Sequence, residues 1–341
     1  MSFRDSPLGS ASIKMAKMPK HDPIQESLEQ LSTLRAASDD AGLSGELRGF
    51  LRNRSNLVIA KAAKIAGERR VAGLVPDLVV AFHKLMRDPA RVDKRCKALT
   101  EIVTVLYAMD YTEPEIYLQG LRHVTMEGSF GPPVNAAAHL RGLCAQGLTR
   151  TSHPTALEDV TNLLVDPEPP ARIGAVRALA ANGGPAGAIA LRLKALTGDR
   201  EAEVIAECFS GLMLSPSENS VSFVGRYVDS DDAEIAEAAI LALGAARSAR
   251  AVVVLKEKWE ITIRGRLKKV LLLALASSRS EDALNFLLAQ LETAQAPIAV
   301  EILNALAAQR PTASIRQSIE AAVQRRGDQI LRDACSAAFS V

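Results

Sequence analysis

One phrase recurs along this chain and limits the fold more than any other feature. Its clearest copy is residues 231–244, DDAEIAEAAILALG. An acidic start suits a helix N-cap, small and aliphatic residues follow at helical spacing, and a glycine closes the stretch. The columns Ile235, Ala239, Ala242, Leu243 and Gly244 return as Val58, Ala62, Ile65, Ala66 and Gly67. They return again as Ala171, Ala175, Ala178, Leu179 and Ala180, and as Val204, Cys208, Gly211, Leu212 and Met213. Two further copies begin at Ile298 and Leu331, and weaker ones at Val92, near Asn135 and at Ile263.

Most copies are about 28–36 residues apart, with one longer step before the middle of the chain. Self-similarity at that period marks stacked units that cannot bury an apolar face alone. Offsets of four, seven and eight residues place the columns on one helix face. Small residues there let neighbouring helix axes approach closely. Each such helix is preceded by another with apolar helical spacing, as at 157–165, 188–196, 221–228, 251–259, 283–291 and 315–323. The unit is therefore a helix pair. No run of alternating β-branched and polar residues bounded by turns is apparent, so no strands are expected.

The pattern resembles HEAT-type repeats. The resemblance rests on Asp166 followed by Ala171-Arg172, and on the Ala242-Leu243-Gly244 ending. Armadillo repeats are longer, and the aromatic columns of tetratricopeptide repeats are missing. The short, Ala-rich unit resembles the repeat of phycobilin-lyase-type HEAT proteins. The resemblance implies an all-α fold, a right-handed α-solenoid of about nine antiparallel helix pairs. Residues 1–24 read as a disordered leader rich in Ser, Pro, Lys and Met, and residues 25–341 as one solenoid. First helices are expected at 24–37 and 43–52, and one long helix at 91–108.

Composition removes several classes of function. Hydrophobic residues make up 48% but aromatics only 4%, which leaves little for base stacking on single-stranded nucleic acid. A formal charge of +2 provides no global attraction to DNA or an anionic membrane. The apolar stretches 72–82 and 270–276 are too short or interrupted to span a bilayer, and no signal-peptide core follows the N-terminal lysines. A soluble, cytoplasmic protein without membrane contact is expected. Cys96, Cys208 and Cys335 fall in the small-residue column, where a free cysteine acts as a small apolar residue, and no Cys/His spacing suggests zinc.

Candidate binding residues gather where the repeat loses its rhythm. Glycines and prolines around Phe130 give residues 127–133 the look of a shaped loop between helices ending near Met126 and starting near Val134. Arg122 and His123 flank it on one side, His139 and Arg141 on the other. Irregular loops on a rigid scaffold are where binding residues tend to sit. A second set follows from the expectation that second helices line the concave face. There the column one residue after the anchor carries Asp93, Arg172, Arg264 and Arg332 among apolar residues such as Ile59 and Ile205. Trp259, the one tryptophan, lies near Arg264, Arg266, Lys268 and Lys269, either as a partner hot spot or as a packing residue between repeats.

No Ser/His/Asp order, Walker loop or GxGxxG is present. HEAT-repeat hydroxylases that bind two irons carry His-Glu dyads, and no histidine here precedes a glutamate. HEAT-like DNA glycosylases have a basic, aromatic-lined channel. A non-enzymatic scaffold with no cofactor and no metal is therefore expected, its concave face binding a protein or peptide partner. The alternatives are nucleic-acid binding, which the charge balance disfavours, and a small-ligand or anion site in the 122–144 region. The sequence assigns no oligomeric state.

Overall fold

The computed structural model of the chain describes residues 22–36, 42–129, 131–263 and 265–339. Most of the expected leader, residues 1–21, lies outside them, and Pro23 and Ile24 already belong to the first helix. Asp22 sets that start: its Oδ1 accepts the Ile24 N–H at 3.0 Å, and Pro23 occupies a position that needs no N–H partner.

Helix α1 (Pro23–Ala36) precedes nine helix pairs among the described residues. The first is α2 (Leu43–Leu51) with α3 (Asn56–Glu68). In the second, α4 (Val75–Leu85) is joined through the single turn α5 (Pro89–Val92) to α6 (Lys97–Ala108). Then follow α7 (Pro114–Leu121) with α8 (Ala138–Leu148), α9 (Ala156–Asn162) with α10 (Pro169–Asn182), and α11 (Gly184–Thr197) with α12 (Ala202–Met213). The last are α13 (Glu218–Gly225) with α14 (Ala233–Ala245), α15 (Ala249–Ile261) with α16 (Arg266–Ser277), α17 (Glu281–Thr293) with α18 (Ala296–Ala308), and α19 (Ala313–Arg326) with α20 (Gln329–Phe339).

The second helices form one continuous layer, each packed on the next from α3 to α20. Among the first helices, close mutual packing is confined to α2 on α4 and to the run α13, α15, α17 and α19. The repeat columns explain the difference. Val58, Ala62, Ala175, Val204, Cys208, Ala239, Leu243, Ile302 and Leu331 are fully buried. Where the column is glycine, backbones meet: a Cβ added to Gly142 would lie 2.7 Å from the Pro170 carbonyl oxygen and 3.1 Å from the Gly174 Cα, and one added to Gly244 would lie 2.7 Å from the Ala274 Cα. Dispersion between backbones at such range replaces side-chain interdigitation.

Two expectations fail locally. Residues 91–108 are not one helix. The buried Asp93 carboxylate accepts the N–H groups of Ala98 and Leu99 at 2.9 and 2.8 Å and the Asn56 Nδ2 at 3.0 Å. These bonds reward a break: Arg95 and Cys96 take left-handed φ values of 60° and 48°, and α6 starts afresh at Lys97. Strands are also present. Strands β1 (Met126–Ser129) and β2 (Gly131–Asn135) pair antiparallel, Met126 opposite Asn135 and Glu127 opposite Val134, with an irregularity between Glu127 and Ser129. The hairpin takes the expected loop at 127–133 and extends into the flanking residues Met126, Val134 and Asn135, where helix was expected, so α7 ends at Leu121 and α8 begins only at Ala138.

Candidate functional site

The hairpin is held at its base by its own side chains Asn135 and Glu127. Asn135 Oδ1 accepts the N–H groups of Thr125 and Ala137 at 3.2 and 3.1 Å. The Glu127 carboxylate reaches back to the Arg95 N–H at 2.6 Å, spanning the break before α6. Beneath lies Arg141, only 3% exposed. Its Nε and Nη2 donate to the two Asp166 carboxylate oxygens at 2.9 and 2.7 Å, and its Nη1 to the His123 carbonyl at 3.1 Å. The His123 ring lies 2.6 Å from Thr125 Oγ1. Burial, and next the positive charge of Arg141, lower the His123 pKa below the ordinary histidine value.

The same motif is repeated one unit on. Arg172 donates to Asp199 at 2.7 Å and, through Nη1, to the carbonyls of Asp166 and Pro167 at 2.8 and 3.0 Å. Lys194 Nζ also reaches Asp199, at 2.7 Å, so one carboxylate serves two cations. Burial alone would raise the Asp199 pKa. Hydrogen bonds from Arg172 and Lys194 outweigh it and hold the carboxyl at about 2. The chain from Arg141 through Asp166 and Arg172 to Asp199 ties three successive units together at the N-terminal ends of their second helices.

The sequence-derived candidates therefore separate. His123 and Arg141 come together at the hairpin base, with the Arg141 guanidinium already spent on internal partners. Arg122 stays exposed at the end of α7, 3.6 Å from Asp159. His139 is exposed on α8 and faces elsewhere, into a shallow cavity of about 250 Å³ shared with Gln146, Arg177 and Glu203. Arg172 is buried in the ladder. Trp259 is 2% exposed, edge-on to Phe286, with Lys268 3.7 Å above its ring and Nε1 donating to Gln290 at 3.4 Å. Phe130 and Arg264 lie outside the described residues. Among the described residues, no three of His, Cys, Asp and Glu stand close enough to hold a metal ion, and no helix is long and apolar enough to cross a membrane.

The column one residue after the anchor is not the open side of the second helices. Ile59, Asp93, Arg172, Ile205, Ala236 and Ala299 are all buried. At 100° per residue this column lies about 75° from the centre of the buried face, whereas the column six residues after the anchor lies about 145° away. Lys64, Arg177, Ser210, Leu241 and Asn304 stand in that outer column, and all five are exposed, whereas in the weaker copies that begin at Val92 and Asn135 the same position is the buried Ala98 or Arg141. The five exposed residues were missed by sequence reasoning, although helical geometry alone points to them. Around them charges of both signs run along the layer. Lys61, Lys64 and Lys97 stand at the start, Glu203, Glu207, Glu234 and Glu237 in the middle, and Arg266, Lys269 and Glu301 towards the end. Several join adjacent second helices: Arg177 pairs with Glu207, Arg266 with Glu237 at 2.7 Å, and Lys269 with Glu301 at 3.0 Å.

Nine stacked helix pairs with a continuous layer of second helices define an all-α solenoid protein of the helical-repeat class. No protein-family model matches the chain, and no curated protein matches its sequence. Among solved structures it is similar to human deoxyhypusine hydroxylase in complex with glycerol, at 19% identity and TM-score 0.30, covering 76% of this chain and 92% of that one. It is similar to an engineered protein at 18% identity and TM-score 0.43, covering 93% of both chains. A third similarity is to a chain of the S. pombe condensin Cnd3–Cnd2 subcomplex, at 17% identity and TM-score 0.44, covering 90% of this chain and 43% of that one. All three are HEAT-like helical-repeat folds, and at these identities the likeness is one of fold alone.

One expectation is corrected by this comparison. The hydroxylase is an enzyme, so this kind of fold is shared by enzymes and non-enzymes, and the exclusion of catalysis drawn from the sequence does not stand. The same likeness brings no activity to this chain.

Proposed function

We propose that this protein is a binding scaffold whose second-helix layer forms the concave side of the solenoid and receives a protein or peptide partner. The observation that carries the proposal is the mixed-charge surface around the outer column of that layer, open at Lys64 and again from Arg177 through Ser210 and Leu241 to Asn304. Closer packing among second helices than among most first helices supports curvature towards their side. A face that turns from basic to acidic and back suits the varied side chains of a polypeptide. A nucleic-acid backbone presents one sign of charge throughout, and Glu203, Glu207, Glu234 and Glu237 would repel it in the middle of the layer.

Pull-down from the source lysate at low and moderate salt, with mass spectrometry, tests the proposal. The expected result is a defined protein retained at moderate salt by the wild-type chain and lost when Glu203→Lys and Glu234→Lys are combined. Retention of nucleic acid alone, released as salt rises, would reject it in favour of an electrostatic nucleic-acid binder.

A further inference from the structure

A cavity of about 540 Å³ lies away from the proposed partner-binding face, between α17 and α19 and the C-terminal ends of α16 and α18. Its volume falls within the range of small-molecule sites, about 300–1,000 Å³. Leu284, Leu288 and Ile315 line it and are only half-buried, so apolar surface stays open to it. The mouth carries two arginines that the repeat places in equivalent positions. Arg279 follows α16 and Arg310 follows α18, each in the left-handed conformation, with φ of 51° and 49°.

Both guanidiniums are exposed, and among the described residues neither has an ion-pair or hydrogen-bond partner. Most nearby basic groups behave otherwise: Arg266, Lys269, Arg316 and Arg325 are all paired with carboxylates. The one acidic residue lining the cavity is Glu281. Two cations against one carboxylate leave a single net positive charge beside an apolar chamber. A planar guanidinium fork matches a carboxylate, and one unit of charge suits a carboxylate better than a doubly charged phosphate ester.

We propose that this cavity binds a small amphiphile with one carboxylate head, its apolar body against Leu284, Leu288 and Ile315 and its head between Arg279 and Arg310. Decanoate and its uncharged amide serve as probes in calorimetric titrations of the full chain. Arg279→Asn and Arg310→Asn are combined because asparagine tolerates the left-handed backbone, and both sites are exposed. Ser318→Trp, at the exposed rim, narrows the cavity without replacing a core residue.

The expected result is saturable binding of one decanoate per chain, weakened about tenfold or more in the Asn double variant and weakened also by Ser318→Trp. The amide should bind wild type about tenfold more weakly than decanoate, and equally weakly to the double variant. Unchanged far-UV circular dichroism certifies folding in each case. Absence of saturable decanoate binding would overturn the proposal. So would equal affinity for acid and amide, or affinity indifferent to the two arginines.

Discussion

Replacing Arg141 by alanine should test whether the buried ladder holds successive units together. Arg141 is 3% and Asp166 11% exposed at the side chain, and the pair makes two charge-assisted hydrogen bonds of 2.9 and 2.7 Å. A third bond, to the His123 carbonyl at 3.1 Å, fixes the approach to the hairpin. Removing one member of a buried pair leaves the other charge without its partner, at a cost of about 3–5 kcal/mol. The exposed Arg122, 3.6 Å from Asp159, is the internal control, for which about 0–1 kcal/mol is expected. Solenoid units couple mainly to neighbours, so urea unfolding followed at 222 nm should be paired with hydrogen exchange read by peptide. The loss of protection should centre on α8, the 126–135 hairpin and α10, while α17–α20 keep theirs. A change under about 1 kcal/mol, or one no larger than that of Arg122→Ala, would refute the reasoning.

Other perturbations have equally definite outcomes. Gly174→Val should lower the urea midpoint strongly, at or beyond the upper end of about 1–3 kcal/mol for overpacking, because the new side chain meets Gly142 backbone rather than a movable group. The Asp199 carboxyl has a folded pKa of about 2, below its unfolded value, so its contribution is complete above about pH 4 and is lost as pH falls towards 2. Asp199→Asn should flatten that part of an acid-unfolding curve relative to wild type. All four cysteines should resist a thiol reagent at pH 8 until denaturant is added. Burial, followed by the charge of Asp93, raises Cys96 to about 11, and burial raises Cys208 to about 12. Trp259→Ala should destabilise by about 3–5 kcal/mol as a cavity mutation, measured by thermal melting.

Which parts of this structure were legible in the sequence depends on how local their causes are. The helix pairs were readable because columns at four, seven and eight residues from each anchor restate one geometric requirement, and Ala175, Cys208 and Ala239 are buried as that spacing demands. The hairpin was hidden because its restraints act across the chain: Glu127 bonds to Arg95, and Asn135 N–H approaches Glu168 at 3.4 Å. Four and five residues rich in glycine and proline show no alternation to read. The break before α6 was hidden for the same reason, since part of Asp93's environment comes from Asn56. At the candidate site the period was right but the phase was not. Arg172 stands on the flank of its helix, where it meets Asp199 of the next unit, whereas Arg177 stands on the open side. Arg141 and Trp259 illustrate the same ambiguity: polarity and rarity mark a residue as unusual without saying whether its partner lies inside or outside the chain.

The central claim is that the outer column of the second helices is where the partner docks. A photo-crosslinking residue placed singly at Arg177, Ser210 or Asn304, and as a control at the exposed Arg250 on α15, tests it most directly in the source lysate. The account predicts one protein crosslinked from the three second-helix positions and absent from the Arg250 control. Crosslinking from Arg250 alone, or equally from both faces, would contradict it.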